Sequence, residues 1–524
     1  MSTQLSAYTL AQPAGQEQVR RIEDAVNGAL DPVVAWFSGI VFYSVGPLPI
    51  VVFWLIVAAA IFTVYFGFIQ FRGFKVALEV VRGKFSRSDD PGEITHFQAL
   101  TSAVSGTVGL GNIAGVGAAL ALGGPGAAFW MVIAGLLGMC TKFVECTLGV
   151  KYREIREDGT VDGGPFKYLP VAFKRFPGPV SNALTGFFAI AILLFGVAGA
   201  GMFQSNQTAV QIREVTGGQE GFFAAPIGGL IMGFLIAGLV GAVIIGGIKS
   251  IGRVTSKLVP AMGIFYILSC LIVILGNAGQ ILPALGEIVA GAFTPEAGFG
   301  GLIGTMIVGF QRSAFSNEAG IGSAPIAHSA VKTRRPVSEG FVALLEPFLD
   351  TVVVCLMTAL TVVIGGGIVY EQAMQQVIDG GETPDGVSLV SAAFATITPW
   401  WPILLAIAVM LFALSTLITW AYYGEKAWHY LFGKRSSTDL VFKLILMTFI
   451  VIGCLASFGT VVDFSDAALF CCAFVNILGL YFLMPVVKKE MKQYLADRKS
   501  GRLHELGAED EEHLAQIREQ QGNA

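Results

Sequence analysis

Three residues of one apolar run carry the oxygen atoms that a hard cation needs. Phe412, Ser415 and Thr416 stand at i, i+3 and i+4 within Phe412-Ala-Leu-Ser-Thr-Leu-Ile-Thr-Trp420, a spacing that puts them on one face of a helix. Two hydroxyls and a backbone carbonyl there give a cation such as Na⁺ its oxygen ligands. The competing use of Ser and Thr in apolar helices is to bond their own backbone. A second polar cluster, Gln204-Ser-Asn-Gln-Thr208, also sits among apolar residues. Gln207 is its natural side-chain contact for a ligand, with helix–helix hydrogen bonding as the alternative.

Two further stretches are built to break a helix. In Thr101-Ser-Ala-Val-Ser-Gly-Thr-Val-Gly-Leu-Gly-Asn112, Gly106, Gly109 and Gly111 each lower helix propensity by about 1 kcal/mol relative to Ala. Ser105, Thr107 and Asn112 add polar groups to the same segment. In Gln311-Arg-Ser-Ala-Phe-Ser-Asn-Glu-Ala-Gly-Ile-Gly322, Arg312 and Glu318 would each cost roughly 2.5–3.5 kcal/mol in lipid, so they must face the bundle interior or a water-filled path. A break frees N–H groups at the start of the second half-helix, where partial positive charge suits a carboxylate. Carbonyls at the end of the first half-helix suit an ammonium group or Na⁺. A zwitterionic amino acid needs both ends at once, and two broken helices crossing at the midplane supply them.

The elements that must position these residues are membrane spans. Of 524 residues, 54% are hydrophobic and 13% are charged, against about 25% charged in soluble domains. The apolar residues fall in blocks long enough to cross a hydrocarbon core, which takes about 20 helical residues. Hydropathy marks eleven spans: A 47–71, B 98–122, C 126–150, D 184–211, E 223–247, F 258–277, G 301–327, H 341–366, I 401–425, J 440–459 and K 464–487. Connections after A, C, E, G, I and K carry clusters of Lys and Arg. The B–C, F–G, H–I and J–K links carry none, and D–E has only Arg213. Basic loops stay in the cytoplasm, so the N-terminus is expected outside and the C-terminus inside, in the plasma membrane or a bacterial inner membrane. The N-terminus lacks a signal peptide's basic start and apolar core. Residues 17–37 are patterned as an amphipathic helix along the outer interface.

The chain repeats itself. Asn112-Ile-Ala-Gly-Val-Gly-Ala-Ala119 in span B and Asn317-Glu-Ala-Gly-Ile-Gly-Ser-Ala324 in span G agree at Asn, Ala, both glycines and the last Ala. Each opens a set of five spans, and five is odd, so the second set enters the membrane from the opposite side. Such inverted repeats belong to secondary transporters, whose sites lie at the midplane on discontinuous helices. The expected fold is therefore an all-α integral membrane protein with a five-plus-five inverted-repeat core, two discontinuous helices and one extra N-terminal span. Its parts are an N-terminal segment (1–46), the extra span with its cytoplasmic loop (47–97), the first repeat (98–277), an external loop (278–300), the second repeat (301–487) and a charged tail (488–524).

Gly111-Asn-Ile-Ala-Gly-Val-Gly117, Ala121-Leu-Gly-Gly-Pro-Gly126 with Phe129-Trp130, and Asn317-Glu-Ala-Gly-Ile-Gly-Ser-Ala-Pro-Ile-Ala-His-Ser329 resemble the alanine or glycine:cation symporter family, the sodium:alanine symporters. The likeness covers spans B to K. Val108-Gly-Leu-Gly-Asn112 is also similar to the broken first core helix of the neurotransmitter:sodium symporters. The resemblance implies sodium-coupled uptake of alanine, glycine or a near relative by alternating access. It implies a sodium site from the carbonyls of Ser105 and Val108 with Phe412, Ser415 and Thr416. It implies a substrate pocket lined by Thr107, Gly109, Leu110, Gly111 and Gln207 from the first repeat, with Phe315, Ser316, Asn317 and Trp420 from the second. Phe315 and Trp420 would cap and shorten that pocket, and pocket size discriminates only about 1–3 kcal/mol per methylene.

Other functions find less in the chain. The net charge of -4 is too small to argue for nucleic acid. The expected partners are the amino acid, Na⁺ and lipid, with no cofactor beyond the coupling ion. A membrane-embedded enzyme needs a metal cluster or triad, and His96, His328 and His429 stand near span ends, His504 and His513 in the tail. The seven cysteines lie in apolar blocks and read as small buried hydrophobes. Lys142 and Glu145 read as a local pair in span C. Glu346 and Asp350, one turn apart, read as contacts to span ends or as a proton path, which makes proton-coupled import the alternative.

Overall fold

The computed structural model of the chain describes residues 14–503 except 88, 219–220, 225, 245–246, 294–297 and 382. His504, His513, the rest of the tail from 504 and residues 1–13 of the N-terminal segment lie outside the described residues.

The described chain is almost wholly helical. In order come α1 (Ala14–Val41), α2 (Ile50–Tyr65), α3 (His96–Thr107), α4 (Val116–Gly123), α5 (Gly126–Lys151), α6 (Gly178–Val215), α7 (Pro226–Ile244), α8 (Gly247–Gly276) and α9 (Ile281–Phe293). Then follow α10 (Gly298–Asn317), α11 (Ala324–His328), α12 (Pro336–Gly365), α13 (Gly367–Ile378), α14 (Gly386–Ala395), α15 (Trp401–Phe432), α16 (Ser436–Gly453) and α17 (Phe458–Lys499). Two antiparallel hairpins of two-residue strands, at Ser44–Pro49 and Glu154–Asp162, are the sheet structure among the described residues.

Eight of these helices are long and apolar enough to cross a membrane, or nine when α3 and α4 are joined as one bent span. The bundle has an inside and an outside. Of the apolar window of α17, 72% is buried, and of that of α16 only 22%. In lipid an apolar face needs no cover, so α16 can present Leu444 to the bilayer while α5, α15 and α17 fill the middle. α10 and α12 pack along α5, α8 packs on α3 and α15, and the second half of α6 is enclosed by α15, α16 and α17. α1 lies along α17, bonded through Asn27 to the Ser457 N–H at 2.9 Å and through Asp31 to Thr460 at 2.6 Å.

Several span limits shift. The main helix of span A runs only 16 residues, about 24 Å at 1.5 Å per residue, before a separate short turn of helix at Ile69–Arg72. The helix of span F begins at Gly247, so Lys249, Arg253 and Lys257 stand in its first turns and not in a loop. The base-poor links F–G and H–I are not plain loops, because they hold α9 and the pair α13–α14. The tail remains helical to Lys499. There Arg498 donates to Glu79 at 2.8 Å, and that hydrogen bond holds the Glu79 carboxyl below its usual range.

α14 matters for the site because it docks backbone to backbone on the first broken helix. A Cβ on Gly386 would lie 1.8 Å from the Ala114 carbonyl oxygen, and one on Gly117 would lie 2.2 Å from that of Gly386. Glycine at both positions permits that approach.

Candidate functional site

The first break lies where the glycines place it. α3 starts with a capping box, in which Thr95 accepts from the Gln98 N–H at 3.2 Å and Gln98 accepts from the Thr95 N–H at 3.0 Å. It stops at Thr107, and the chain resumes through a wide turn, Gly111–Gly115, before α4, with a 54° bend between the halves. The freed N–H groups are not bare. Gly109 donates to Asn112 Oδ1 and Leu110 to Gln204 Oε1, each at 3.0 Å.

The second break leaves the right-handed region. α10 ends at Asn317, and Glu318, Gly320 and Gly322 have φ of 57°, 92° and 91° before α11 begins at Ala324. Glu318 is a costly residue at such an angle, and its carboxylate is fixed by two donors, Trp420 Nε1 at 2.9 Å and the Ser323 hydroxyl.

The two breaks touch. A Cβ on Gly111 would sit 3.5 Å from the Phe315 ring and 3.6 Å from Ser316 Cα. Asp350 bridges them from a wide turn of α12, Phe348–Cys355. Its carboxylate accepts from Asn112 at 2.7 Å on one oxygen, and from Ser316 and Thr351, each at 2.7 Å, on the other. All of these side chains are buried.

α15 closes the site on the other flank. Ser105 donates to the Ser415 carbonyl at 2.8 Å, and Thr419 donates to Ser105 at 3.0 Å. Ser415 bonds back to the Phe412 carbonyl at 2.9 Å, so its hydroxyl serves its own helix backbone. The ring of Phe412 packs edge-on against Tyr266, and Val108 is buried at the end of α3. Thr416 differs. Its Oγ1 is buried with no hydrogen-bond partner among the described residues, and a Cβ on Gly109 would lie 2.3 Å from it. The hydroxyl thus points at the carbonyl end of the broken helix. Trp420 and Phe315 are joined by Phe195, whose ring lies 4.3 Å from one and 6.1 Å from the other, and Phe203 lies 4.9 Å from Phe315.

Some expected residues face elsewhere. Gln207 donates to Asp385 at 3.2 Å and accepts from the Val387 N–H at 3.2 Å, so it ties α6 to the start of α14. Asn317 donates to Ser313 and Thr351, each at 2.9 Å, and lines a narrow cavity with Leu55 and Gly138. Thr107 reaches its own helix carbonyls at 3.4 Å. The pairing of Lys142 with Glu145 is corrected: Lys142 donates to Glu346 at 3.0 Å, and Glu145 accepts from Asn476 at 2.6 Å. Asp350 lies between the breaks and not at a span end. Gln204, from the same polar cluster as Gln207, joins the site, and so do Phe195 and Phe203, which have no signal in the residue spacing. The wide turn Phe195–Gly199 inside α6 changes which residues face inward, and regular helical periodicity does not reveal it. Glu425 and His429 on α15 and Asp439 on α16 bring ligand atoms within 4.8 Å of one another, a grouping across two helices that linear spacing conceals.

A profile of the sodium:alanine symporter family matches residues 28–508. The chain belongs to that family. The sodium/alanine symporter AgcS of Methanococcus maripaludis is 38% identical over 452 residues, covering 85% of this chain and 94% of its own. The amino-acid carrier protein AlsT of Bacillus subtilis is 34% identical, covering 84% and 88%. The probable sodium/glutamine symporter GlnT of the same organism is 32% identical, covering 86% and 89%. Among solved structures, the crystal structure of MhsT in complex with L-phenylalanine superposes with a TM-score of 0.52 at 18% identity, covering 76% of this chain and 98% of that one. That likeness shows the fold. The chain is a multi-pass membrane carrier, an amino-acid:cation symporter and not an enzyme.

Proposed function

We propose that this chain imports a small neutral amino acid, alanine or glycine, together with Na⁺ by alternating access. The reading rests first on Thr416. A buried hydroxyl without a partner among the described residues costs free energy that a bound ligand removes. It faces the carbonyl end of a broken helix, which suits a hard cation. The Ser105 and Val108 carbonyls with Phe412, Ser415 and Thr416 make the proposed sodium site. The proposed pocket lies where Gly109, Leu110 and Gly111 meet Phe315 and Ser316, with Trp420 as its wall and Thr107, Gln207 and Asn317 behind it. Gln204 joins it as the residue on the Leu110 N–H.

The eleven-span, inverted-repeat topology with the N-terminus outside belongs to the same proposal, as does its place in the plasma membrane. It is supported by a chain break beside the asparagine of each octet, before Asn112 and after Asn317, and by the side bias of Lys and Arg. One cation suffices energetically. About 100 mV drives one Na⁺ with about 2.3 kcal/mol, a tenfold gradient adds about 1.4, and together they sustain roughly 500-fold accumulation.

The test is uptake of labelled alanine into proteoliposomes, with and without an inward sodium gradient, for wild type and Thr416→Ala. Wild type should accumulate alanine only with sodium. The variant should need about tenfold more sodium, since one lost ligand of about 1.4 kcal/mol is a factor of ten. Uptake that ignores sodium and follows a pH gradient would move coupling to protons and to Glu318, Glu346 and Asp350. Silence under both gradients from folded protein would sink the substrate assignment.

A further inference from the structure

We propose that His328, Glu339 and Glu346 form a buried proton-binding site, loaded from the cytoplasm through His96, whose occupancy locks the inner ends of both broken helices to α12. The cytoplasmic side is that of the orientation proposed above. The site itself rests on geometry.

His96 opens α3 and His328 closes α11. Both Nδ1 atoms meet the carboxylate of Glu339, His96 on one oxygen and His328 on the other. Carboxylate oxygens only accept, so each imidazole places a hydrogen on Nδ1. That fixes what the far side of His328 can be. Its Nε2 lies 3.7 Å from Glu346 Oε2, and neither atom has a hydrogen-bond partner among the described residues. Without another proton these are two lone pairs facing each other in a site sealed from water, a costly arrangement. One proton, on the nitrogen or on the facing oxygen, turns the pair into a donor and an acceptor.

Charge gives the same count. Glu346 has a cation, Lys142, at 3.0 Å on its other oxygen. Among the described residues Glu339 has only the two imidazoles. A buried carboxylate without a charged partner is expensive, and a protonated His328 supplies one. The other ionisable groups that act here from neighbouring elements are Glu145 and Cys146 on α5, Glu318 at the second break, Tyr423 on α15, and Arg153. Arg153 is committed to the loop, where it donates to the carbonyls of Pro91, Ser329, Val331 and Thr333.

The position explains what the proton would do. The inner ends of the two broken helices are already tied to each other, because the Glu93 N–H donates to the Ala330 carbonyl and the Lys332 N–H to that of Ile94, each at 2.7 Å. These bonds make the two ends one bonded unit. Glu339 and Glu346 join that unit to α12, and Lys142 carries the link to α5. His96 lines a cavity of about 230 Å³ with Asp90, Arg335 and Ser338, which gives the site its route to bulk protons. Histidine is the side chain suited to such a switch. Low pH fills the site and holds the inner side shut. Rising pH empties it and frees the unit.

The test uses the full-length protein in detergent micelles without sodium or amino acid. Hydrogen–deuterium exchange is followed in peptides covering 96–107 and 324–332 at pH 6 and pH 9, after correction for intrinsic exchange rates. Wild type should open at least tenfold faster at pH 9. His328→Gln should open at one rate at both values. Glu346→Gln places an amide N–H toward a neutral His328, so it should stay protected at pH 9 as at pH 6, and it decides the matter if His328→Gln does not fold. A wild type whose protection ignores pH, or variants that keep the wild-type pH dependence, would overturn the proposal. Exchange needs no transport, so failed sodium-driven uptake strikes the function above while leaving this site standing.

Discussion

Asn112 and Asn317 hold the same place in the two octets, and the structure gives them one task. Each uses its side-chain oxygen to accept a backbone N–H that the break has freed, Gly109 in the first and Ala319 in the second, both at 3.0 Å. Each gives its amide N–H to α12, and the acceptors are adjacent residues, Asp350 and Thr351. The breaks part ways at the residue after the asparagine. Behind Asn112 comes Ile113, and the break nearby uses ordinary angles, with Val108 at φ -75° and ψ 86°. Behind Asn317 comes Glu318 in the left-handed region, with its carboxylate held by Trp420 and Ser323. Among the residues that repeat, the asparagine braces both breaks, whereas the glycines lie in the second break but in helix beyond the first. The residues that do not repeat give each break its chemistry, neutral and carbonyl-rich in the first, charged in the second.

The asparagines themselves break this comparison hardest. Asn112→Leu strands the Gly109 N–H and takes a donor from the buried carboxylate of Asp350. A neutral buried group left unpaired costs about 1–3 kcal/mol and a charged one more. Asn317→Leu strands only neutral partners. Alanine uptake should fall below about a hundredth of wild type for Asn112→Leu, since each 1.4 kcal/mol is tenfold, with a smaller loss for Asn317→Leu. Equal losses, with the protein folded, would mean that Asp350 is not the charged partner it is taken to be.

Backbone strain separates the breaks next. Gly322 has φ of 91°, and a Cβ there would lie 2.9 Å from the Asn476 side chain. Gly322→Ala should lower the melting temperature, through a cost of about 1–3 kcal/mol for a non-glycine residue at that angle. Gly106→Ala, in the last turn of α3 before the first break, meets the Thr419 methyl at 3.0 Å, its nearest neighbour, and carries no such angle. It should melt near wild type.

Both breaks are legible in the sequence, because glycine and mid-span polar residues are local signals. So is the face of Phe412, Ser415 and Thr416, since a regular helix preserves spacing. Gln204 stands in the same polar cluster as Gln207, three residues before it on the regular helix beyond Gly199, and spacing puts both on one face; which of them meets the first break is set by partners on other helices. The partners of Lys142, His96 and His328 lie on other helices, up to 243 residues away for His96 and Glu339. No spacing rule reaches that far. The side bias of Lys and Arg says where charge sits and not where helix stops, so Lys249, Arg253 and Lys257 look like a loop and belong to a helix.

The finest contrast lies inside the first break. Gly109 and Gly111 are two residues apart, both buried, and alike to any reading of propensity. Their surroundings differ by more than 1 Å. A methyl group on Gly109 would enter the space of Thr416 Oγ1, 2.3 Å away, and press on Gln204 Nε2 at 3.1 Å. A methyl group on Gly111 would meet the Phe315 ring at 3.5 Å and Ser316 Cα at 3.6 Å, ordinary van der Waals contact. If the unpartnered hydroxyl is a cation ligand, Gly109→Ala must push it off its position. Sodium half-saturation should then rise about tenfold, the equivalent of about 1.4 kcal/mol, with little change in the alanine requirement at saturating sodium. Gly111→Ala should leave sodium half-saturation within about threefold of wild type, less than about 1 kcal/mol, and act on alanine affinity instead. A reversed pattern would place the cation on the Phe315 side of the break and the amino acid on the Thr416 side.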